Sequence, residues 1–358
     1  MKRIGIMTGG GDCAGLNAVI AGIVKTGTPY GYEFLGFERG WEGILSPMMY
    51  RPMTFNSVRG ISHLGGTILH TTNKGRFGAK QGEGQAMRIP EEILEEAARN
   101  LRSLEVDGLI VIGGDGTLSG ALQLAEKGVH VVGVPKTIDN DLASTDQTFG
   151  FATAVQVAVD ALDRIHTTAS SHDRVIIVES MGRHAGWIAL EAGLAGGADA
   201  ILLPEFPFQV EDLVHLLRDR HEHEMTSSVI MIAEGAKLEQ SVAAQKKEAG
   251  REVLLGGIGQ RLMSAIENEA PGEFEMRTTI LGHMQRGGTP NAYDRILAKS
   301  YGVAAMEAYH RCEWNTMVSF NNRSMRTVPI IDAVDHLKVV QPSCMEYQTA
   351  KRLGVFIH

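Results

Sequence analysis

The sequence predicts an α/β protein of two domains, each a parallel sheet covered by helices on both faces. Three observations carry this expectation. Short apolar runs alternate with longer amphipathic stretches along most of the chain, which is the rhythm of βαβ units. The 358 residues exceed what one hydrophobic core ordinarily serves. A polar cluster near Ile138–Asp141 separates two such βα series and marks a crossing between domains.

Each element has its own signal. Arg3–Met7 reads as a buried strand, followed by a Gly-rich turn and a helix from about Gly15 to Lys25. Tyr32–Phe37 is the next strand. Pro90–Leu104 is an amphipathic helix, with proline and acidic residues in its first turn. Gly108–Ile112 is a strand, then comes GGDGT, then a helix to about Lys127. Val129–Val134 is a strand that runs into PKTIDND, and a helix follows over Phe151–Thr168. Val155, Val159, Leu162 and Ile165 give that helix its apolar face. Arg174–Glu179, Ala200–Leu203 and Ser228–Ala233 are further strands, with a helix after the Gly182–Gly186 turn and another over Val210–Glu224. Lys237–Gly250 is polar and reads as a surface insertion.

Composition narrows the function. The chain is 44% hydrophobic and 21% charged, with a formal net charge of −8 and no Lys/Arg-rich run, so a nucleic-acid partner is not expected. An anionic substrate would have to be caught by a local basic cluster. No run of ~18 apolar residues occurs, and the N-terminus runs into a strand without a signal-peptide stretch. The expectation is therefore no membrane association and a cytoplasmic location. Cys13, Cys312 and Cys344 are few and widely spaced, which suits neither a disulfide framework nor a cysteine zinc site. The 42 glycines exceed the usual ~7% and cluster in turns, where backbone can approach a ligand closely.

Four motifs could carry chemistry. Gly9-Gly10-Gly11-Asp12-Cys13-Ala14-Gly15 lies between a strand and a helix, where bare amides bind anions. Its spacing also fits a dinucleotide fingerprint, with Glu33 or Glu38 as ribose ligand, or a plain structural turn. Gly113-Gly114-Asp115-Gly116-Thr117 repeats the pattern with a carboxylate that could hold Mg²⁺ against phosphates or simply cap a helix. Pro135–Asp141 follows the next strand, so it shares that carboxyl edge, where α/β sheets bind ligands. Asp139 and Asp141 are two apart and differ in direction unless the loop turns. One could take a proton from a sugar hydroxyl. Finally, Arg174, Arg183, Arg277, His283 and Arg286 lie near turns and strand ends, and guanidinium groups bind phosphate as a fork. No GxxxxGK[ST], protein-kinase signature or G-x-S-x-G occurs.

In combination, GGDGT, PKTIDND, Met181-Gly182-Arg183, Ala233-Glu234-Gly235 and Gly282-His283-Met284-Gln285-Arg286-Gly287-Gly288 resemble the 6-phosphofructokinase family, in order and over most of the chain. The resemblance implies two doubly wound, Rossmann-like parallel-sheet domains with the active site in the cleft between them. It implies a nucleotide-binding domain over 1–138 plus about 251–305, and a sugar-phosphate-binding domain over about 139–250 plus about 306–358. It implies Mg²⁺-dependent phosphoryl transfer from ATP to the 1-hydroxyl of fructose 6-phosphate, in glycolysis, by a homotetramer or a homodimer. Asp139 matches the general base, with Thr137 and Asp141 beside it and Arg183 in the catalytic set. Asp115 matches the metal ligand. Gly11, Gly114, Gly116, Thr117 and Gly120 match the nucleotide side. Met181, Gly182, Arg183, Glu234, His283 and Arg286 match the sugar-phosphate side, and Arg174 and Arg277 match arginines that reach it from a neighbouring subunit.

Departures from the family pattern bear on the phosphoryl donor. Asn73 stands where an arginine often bridges the substrates, and Lys74 or Arg76 is placed to replace its charge. Trp41 stands where a tyrosine often lies near the nucleotide. Gly116 goes with ATP, because a carboxylate there would occupy α-phosphate space and repel it; Lys136 is typical of pyrophosphate users. The alternatives are a pyrophosphate-dependent enzyme, a kinase of another sugar phosphate, or a non-catalytic sugar-phosphate sensor. Ala21, Lys25 and His166 stand where regulated relatives carry an effector pocket rich in arginine, so ordinary control by ADP or phosphoenolpyruvate is not expected.

Overall fold

The computed structural model describes residues 2–72, 75–77, 88–238 and 257–358. Asn73 and Lys74, and residues 239–250 of the polar stretch, lie outside the described residues. The strands are β1 (Arg3–Thr8), β2 (Glu33–Phe37), β3 (Tyr50–Met53), β4 (Val106–Gly113), β5 (His130–Pro135), β6 (Val175–Ser180), β7 (Ala200–Leu202), β8 (Ser228–Ala233), β9 (Met276–Ile280), β10 (Thr316–Asn321), β11 (Ser324–Pro329) and β12 (Phe356–Ile357). The helices are α1 (Leu16–Gly27), α2 (Glu91–Ser103), α3 (Asp115–Ala125), α4 (Phe151–Ser171), α5 (Trp187–Ala195), α6 (Val210–Glu222), α7 (Ile258–Glu269), α8 (Ala292–His310), α9 (Ile330–Val334) and α10 (Met345–Arg352).

Two units result. The first takes Met1–Ile138, Leu142–Thr153 and Arg286–Leu337; the second takes Asp139–Asp141, Ala154–Gln285 and Lys338–His358. The division after residue 250 differs from the one read from the sequence. α7 belongs to the second unit because Leu262 and Ile266 pack into its core with Ile177 and Ile230. β10 and β11 belong to the first because β10 pairs with β5. The crossing is also more complex than a single break at Ile138–Asp141. The chain returns to the first unit at Leu142 and leaves it again after Thr153, inside α4.

The first unit's sheet runs β11-β10-β5-β4-β1-β2-β3. Its inner strands are parallel, as the alternation predicts, and the edge strands β3 and β11 are antiparallel. Hairpins explain the edges: Asn322 and Arg323 both take positive φ between β10 and β11, as a two-residue hairpin turn requires. Leu94 and Leu101 of α2 and Leu118 and Leu124 of α3 bury against Phe37, Leu109 and Val111. α1 and α8 cross where both lack a side chain; a Cβ on Gly302 would lie 2.4 Å from Val19 O. Asp294 pins this unit's later segment to its earlier one. Its carboxylate accepts from Gly150 N at 2.9 Å, Thr153 N at 2.7 Å and Thr153 Oγ1 at 2.6 Å.

The second unit's sheet runs β12-β7-β8-β6-β9, all parallel. Leu162 of α4, Leu190 of α5 and Ala350 of α10 cover one face through Val178, Ile201 and Met231. Leu213 and Leu217 of α6, with α7, cover the other through Ile177, Ile230 and Ile232. The inner strands β6, β7 and β8 thus bury both faces, which is why they read as largely apolar runs, whereas the edge strand β9 keeps Arg277, Thr279 and Ile280 exposed.

Glu191 of α5 carries a cost in this packing. Burial, reinforced by the Glu346 carboxylate and partly offset by Lys338, raises its pKa from 4.5 to about 7. A carboxyl whose folded pKa lies above its unfolded value costs no stability below the lower value. The cost grows as pH rises between the two and is complete above about 7. Glu191→Gln should therefore raise Tm at pH 8, by a stability on the order of 2 kcal/mol, and leave it nearly unchanged at pH 4.5. Thermal unfolding at both pH values checks this; equal shifts at both would refute it.

Candidate active site

In the first unit, the Gly-rich loops leave neighbouring strand ends. β1 and β4 pair to Thr8–Ile112, and Gly9 N donates to Ile112 O at 2.9 Å, one residue past β1. Lys136 N donates to Gly113 O at 2.9 Å, one residue past β5. The loops after β1, β4 and β5 therefore start from fixed points along one carboxyl edge, at the strand order's reversal around β1. α3 begins at Asp115, so Asp115, Gly116 and Thr117 form its first turn, whose amides lack partners within the helix. Thr117 is buried and fills the space between loops. A Cβ at Gly9 would lie 2.6 Å from its Cγ2, and one at Gly113 would lie 2.3 Å from its Cβ.

Two cations meet the first loop. Lys136 is 4% exposed and donates through Nζ to Gly11 O at 2.5 Å. Arg286 Nη1 donates to Asp12 O at 3.4 Å and lies where a Gly11 side chain would go, 2.4 Å from an added Cβ. Arg286, expected with the sugar-phosphate residues, thus sits in the first unit against the glycine loop. Thr71 Oγ1 fixes the loop's other carbonyl, donating to Gly10 O at 2.6 Å. Cys13 within the loop is buried, and that burial pushes its thiol up to about 12, which leaves it neutral and unreactive.

Asp115 is partly exposed and makes no hydrogen bond or ion pair among the described residues. Among the described residues no group of three carboxylate, His or Cys ligands could hold a metal. A single open carboxylate beside amide-rich turns fits Mg²⁺, which takes one or two carboxylates and otherwise water and substrate phosphates. Gly120 is buried beneath a stacked pair, Trp41 and Phe77, whose centroids are 4.3 Å apart. An added Cβ there would meet both rings at 3.4 Å. Phe77 carried no sequence signal, because its partner comes from a distant 3₁₀ turn.

In the second unit, Asn140 takes a left-handed conformation, φ 52°, so the loop does turn between the two aspartates. Asn140 is 5% exposed while Asp139 and Asp141 stay partly exposed. Thr137 lies in the first unit, where its carbonyl accepts from Thr148 Oγ1 at 2.7 Å. The carboxyl ends of β8, β6 and β9 stand side by side and bring together Glu234, Met181–Arg183 and His283. Glu234 N donates to Ser180 O at 2.9 Å and Gly235 N to Gly182 O at 3.1 Å. Gly182 has φ 131°, and a Gly235 side chain would strike Arg183 O, so both glycines serve close approach. Gln285 Oε1 accepts from Met181 N at 2.7 Å, a support that the sequence motif did not reveal. Arg183 and His283 remain exposed, Glu234 half-buried.

Arg174 and Arg277 are not with this group. Arg174 precedes β6 and Arg277 sits early in β9, at the opposite edge of the sheet, roughly 20 Å away along the strands. Glu275 joins them, accepting from Arg174 Nε at 2.8 Å and Arg277 Nη2 at 2.9 Å. Those two guanidiniums, Arg174 foremost, hold its carboxyl below the usual range. Ala21 and Lys25 line a cavity of about 260 Å³ in the first unit together with Ser62 and Lys299. Lys299 is a cation the sequence comparison of this region missed. His166 is in the second unit and donates to Gly196 O at 2.7 Å.

The Phosphofructokinase family model matches residues 3–309. An ATP-dependent 6-phosphofructokinase of Chloroflexus aurantiacus is 46% identical over 354 residues, 99% of this chain and 97% of that one. A pyrophosphate–fructose 6-phosphate 1-phosphotransferase of Amycolatopsis methanolica is 45% identical over 348 residues, 96% of this chain and 98% of that one. Among solved structures, the T-state phosphofructokinase of Pichia pastoris superposes with a TM-score of 0.79 at 29% identity, covering 93% of this chain and 35% of that longer one.

Proposed function

The chain belongs to the phosphofructokinase family, and on that premise we propose that it transfers the terminal phosphoryl group of ATP to the 1-hydroxyl of fructose 6-phosphate. The products are fructose 1,6-bisphosphate and ADP, and the step belongs to glycolysis in the cytoplasm. The observation that carries the reading is the set of three loops, after β1, β4 and β5, on one sheet edge of a chain so close to ATP-dependent relatives.

The roles follow from the chemistry. In-line phosphoryl transfer needs positioning and charge stabilisation more than covalent help. Asp139 accepts the proton of the 1-hydroxyl as the oxygen attacks phosphorus; Thr137 and Asp141 keep that loop polar around it. Lys136 and Arg286 place positive charge at the glycine loop, where Gly11, Gly114, Gly116 and Thr117 offer amides to the polyphosphate. Asp115 is the residue that would hold Mg²⁺, which would supply neutralisation of phosphate charge. Met181–Arg183, Glu234 and His283 hold the sugar phosphate, with Arg183 supplying the fork. Arg174 and Arg277, at the other edge of their sheet, serve the site of a second copy in a homotetramer. A pyrophosphate donor is the second reading, favoured by the Amycolatopsis methanolica relative.

Asp139→Asn should lower kcat by roughly 10²-fold or more while the sugar KM stays close to wild type. Steady-state kinetics with fructose 6-phosphate checks this, and near-normal kcat would remove Asp139 from the base role. A coupled assay that offers ATP and pyrophosphate in turn tests the donor. Wild type should prefer ATP, and Gly116→Asp should lose kcat/KM for ATP far more than sugar binding; a wild-type preference for pyrophosphate would reverse the assignment. Arg174→Ala and Arg277→Ala should each raise the sugar KM by roughly 10-fold, the scale of one charge-assisted phosphate contact. Co-refolded mixtures of the two should regain activity only if the arginines act across a subunit boundary.

A further inference from the structure

After Leu337 the chain returns to the second unit at Lys338, and the next residues bond to the loop that carries the two aspartates. Lys338 N donates to Asp141 O at 2.8 Å. Its ammonium donates to Asn140 Oδ1 at 2.9 Å. Its carbonyl accepts from Trp187 Nε1 at 2.8 Å, and the ammonium lies 5.9 Å from the centre of the same indole. Two residues on, Val340 N donates to Glu205 Oε1 at 2.8 Å, and that oxygen also accepts from Gly186 N at 2.9 Å. Residues 338–340 are thereby a strap. One side holds the 139–141 loop; the other is fastened to Gly186 and Trp187, where α5 begins after the Met181–Arg183 turn.

The loop needs such a hold. Asn140 is a non-glycine residue at φ 52° and 5% exposed. The left-handed well is the less favoured one for an L-residue, although asparagine tolerates it best. If Asn140 relaxed to the right-handed region, the chain direction would change between Asp139 and Asp141, and both carboxylates would swing. Its buried amide also requires a partner, and the Lys338 ammonium is one. A lysine suits this place for a second reason. Glu191 of α5 brings a carboxylate under the influence of Lys338. Lys338 lowers the pKa of Glu191, so its charge is felt in the strap's neighbour α5.

We propose that Lys338 is a positioning residue for the phosphoryl-transfer reaction: it holds Asn140 left-handed, so that Asp139 and Asp141 keep their directions, and registers their loop against the start of α5. This rests on the reading of Asp139 as the base. Lys338 acts through the loop it holds, so its effect falls on turnover rather than on affinity, since small misplacements of a reacting group cost rate steeply.

The test uses the full-length enzyme with Lys338→Met, which keeps a long stem against Trp187 and removes the donor. Expected are a kcat lower by roughly 10-fold or more, a sugar KM within about 2-fold of wild type, and faster amide hydrogen exchange over residues 137–142 without substrate. Asn140→Ala combined with Lys338→Met should be no slower than the slower single variant, because both cut the same bond. Tm is measured in parallel so that kcat refers to folded enzyme. Unchanged kcat per folded enzyme, a change in KM alone, additive single effects, or unchanged exchange over 137–142 would each overturn the proposal. If the wild type transfers phosphate from neither ATP nor pyrophosphate, the functional reading fails, while the exchange measurement still decides the strap.

Discussion

β1 is hydrogen-bonded on both flanks, to β2 along Phe34–Phe37 and to β4 along Gly108–Ile112, and the first unit's chemistry depends on that placement. Parallel pairing sends the carboxyl ends of β1, β4 and β5 to one edge. The order reverses at β1, so connections leave it in opposite directions and the loops are not covered by a crossover helix. Once Gly9 N is fixed on Ile112 O, and Lys136 N on Gly113 O, little freedom remains in how the loops begin. Glycine at 9 and 113 follows from that crowding, because Thr117 already occupies the space between them. Positive charge follows too. Loops that turn so tightly expose carbonyls as well as amides, and Lys136 and Arg286 neutralise the carbonyl side at Gly11 and Asp12.

The second unit solves a related problem with different parts. β6 lies between β8 and β9, so the residues after three adjacent strands converge. Gly182 and Gly235 let two of those turns touch. What remains exposed is mixed in charge: Arg183 and His283 beside a half-buried Glu234. That suits a ligand that is anionic at one end and hydroxylated elsewhere, the acid accepting from hydroxyls while the cations take the phosphate. Arg174 and Arg277 make a different kind of cluster. Glu275 is shared between the two guanidiniums, at the sheet edge opposite Arg183 and His283.

The sequence made the βα rhythm legible wherever both faces of a strand are buried, since those strands are apolar throughout; Ser228–Ala233 was read to its exact bounds. Edge elements were harder. β3 (YRPM) has burial only at its last residue, and β11 alternates weakly, so neither stood out from loop. The division of the chain after residue 250 was misread for a related reason. Membership in a unit is decided by which core α7 packs into and by β10 pairing with β5, and no local pattern reports either. At the site, motif residues were visible because glycine and charge cluster in sequence. Their supports were not, since Gln285 on Met181, Glu205 on Gly186 and Val340, and Lys338 on Asn140 join residues far apart in the chain. Arg286 is a different case. It is adjacent in sequence to the sugar-phosphate motif yet lies on the glycine loop, because the unit boundary falls between it and Gln285.

That placement also resolves the conflict between Gly116 and Lys136 over the donor. Lys136 is anchored to Gly11 O, at the loop that any polyphosphate must meet. A charge at that place would serve a pyrophosphate and the outer phosphates of a nucleotide alike, so it carries little information about which is used. Gly116 is different in kind. It sits in the first turn of α3 directly after Asp115, where the amides face an incoming anion. An aspartate there would put a second carboxylate beside the first, at the helix end that otherwise attracts anions. A small donor approached from one side could tolerate that; a donor whose chain of phosphates continues past the turn to a nucleoside could not. A cation that serves both donors and a glycine that admits the larger one are compatible, and together they describe a site open to ATP.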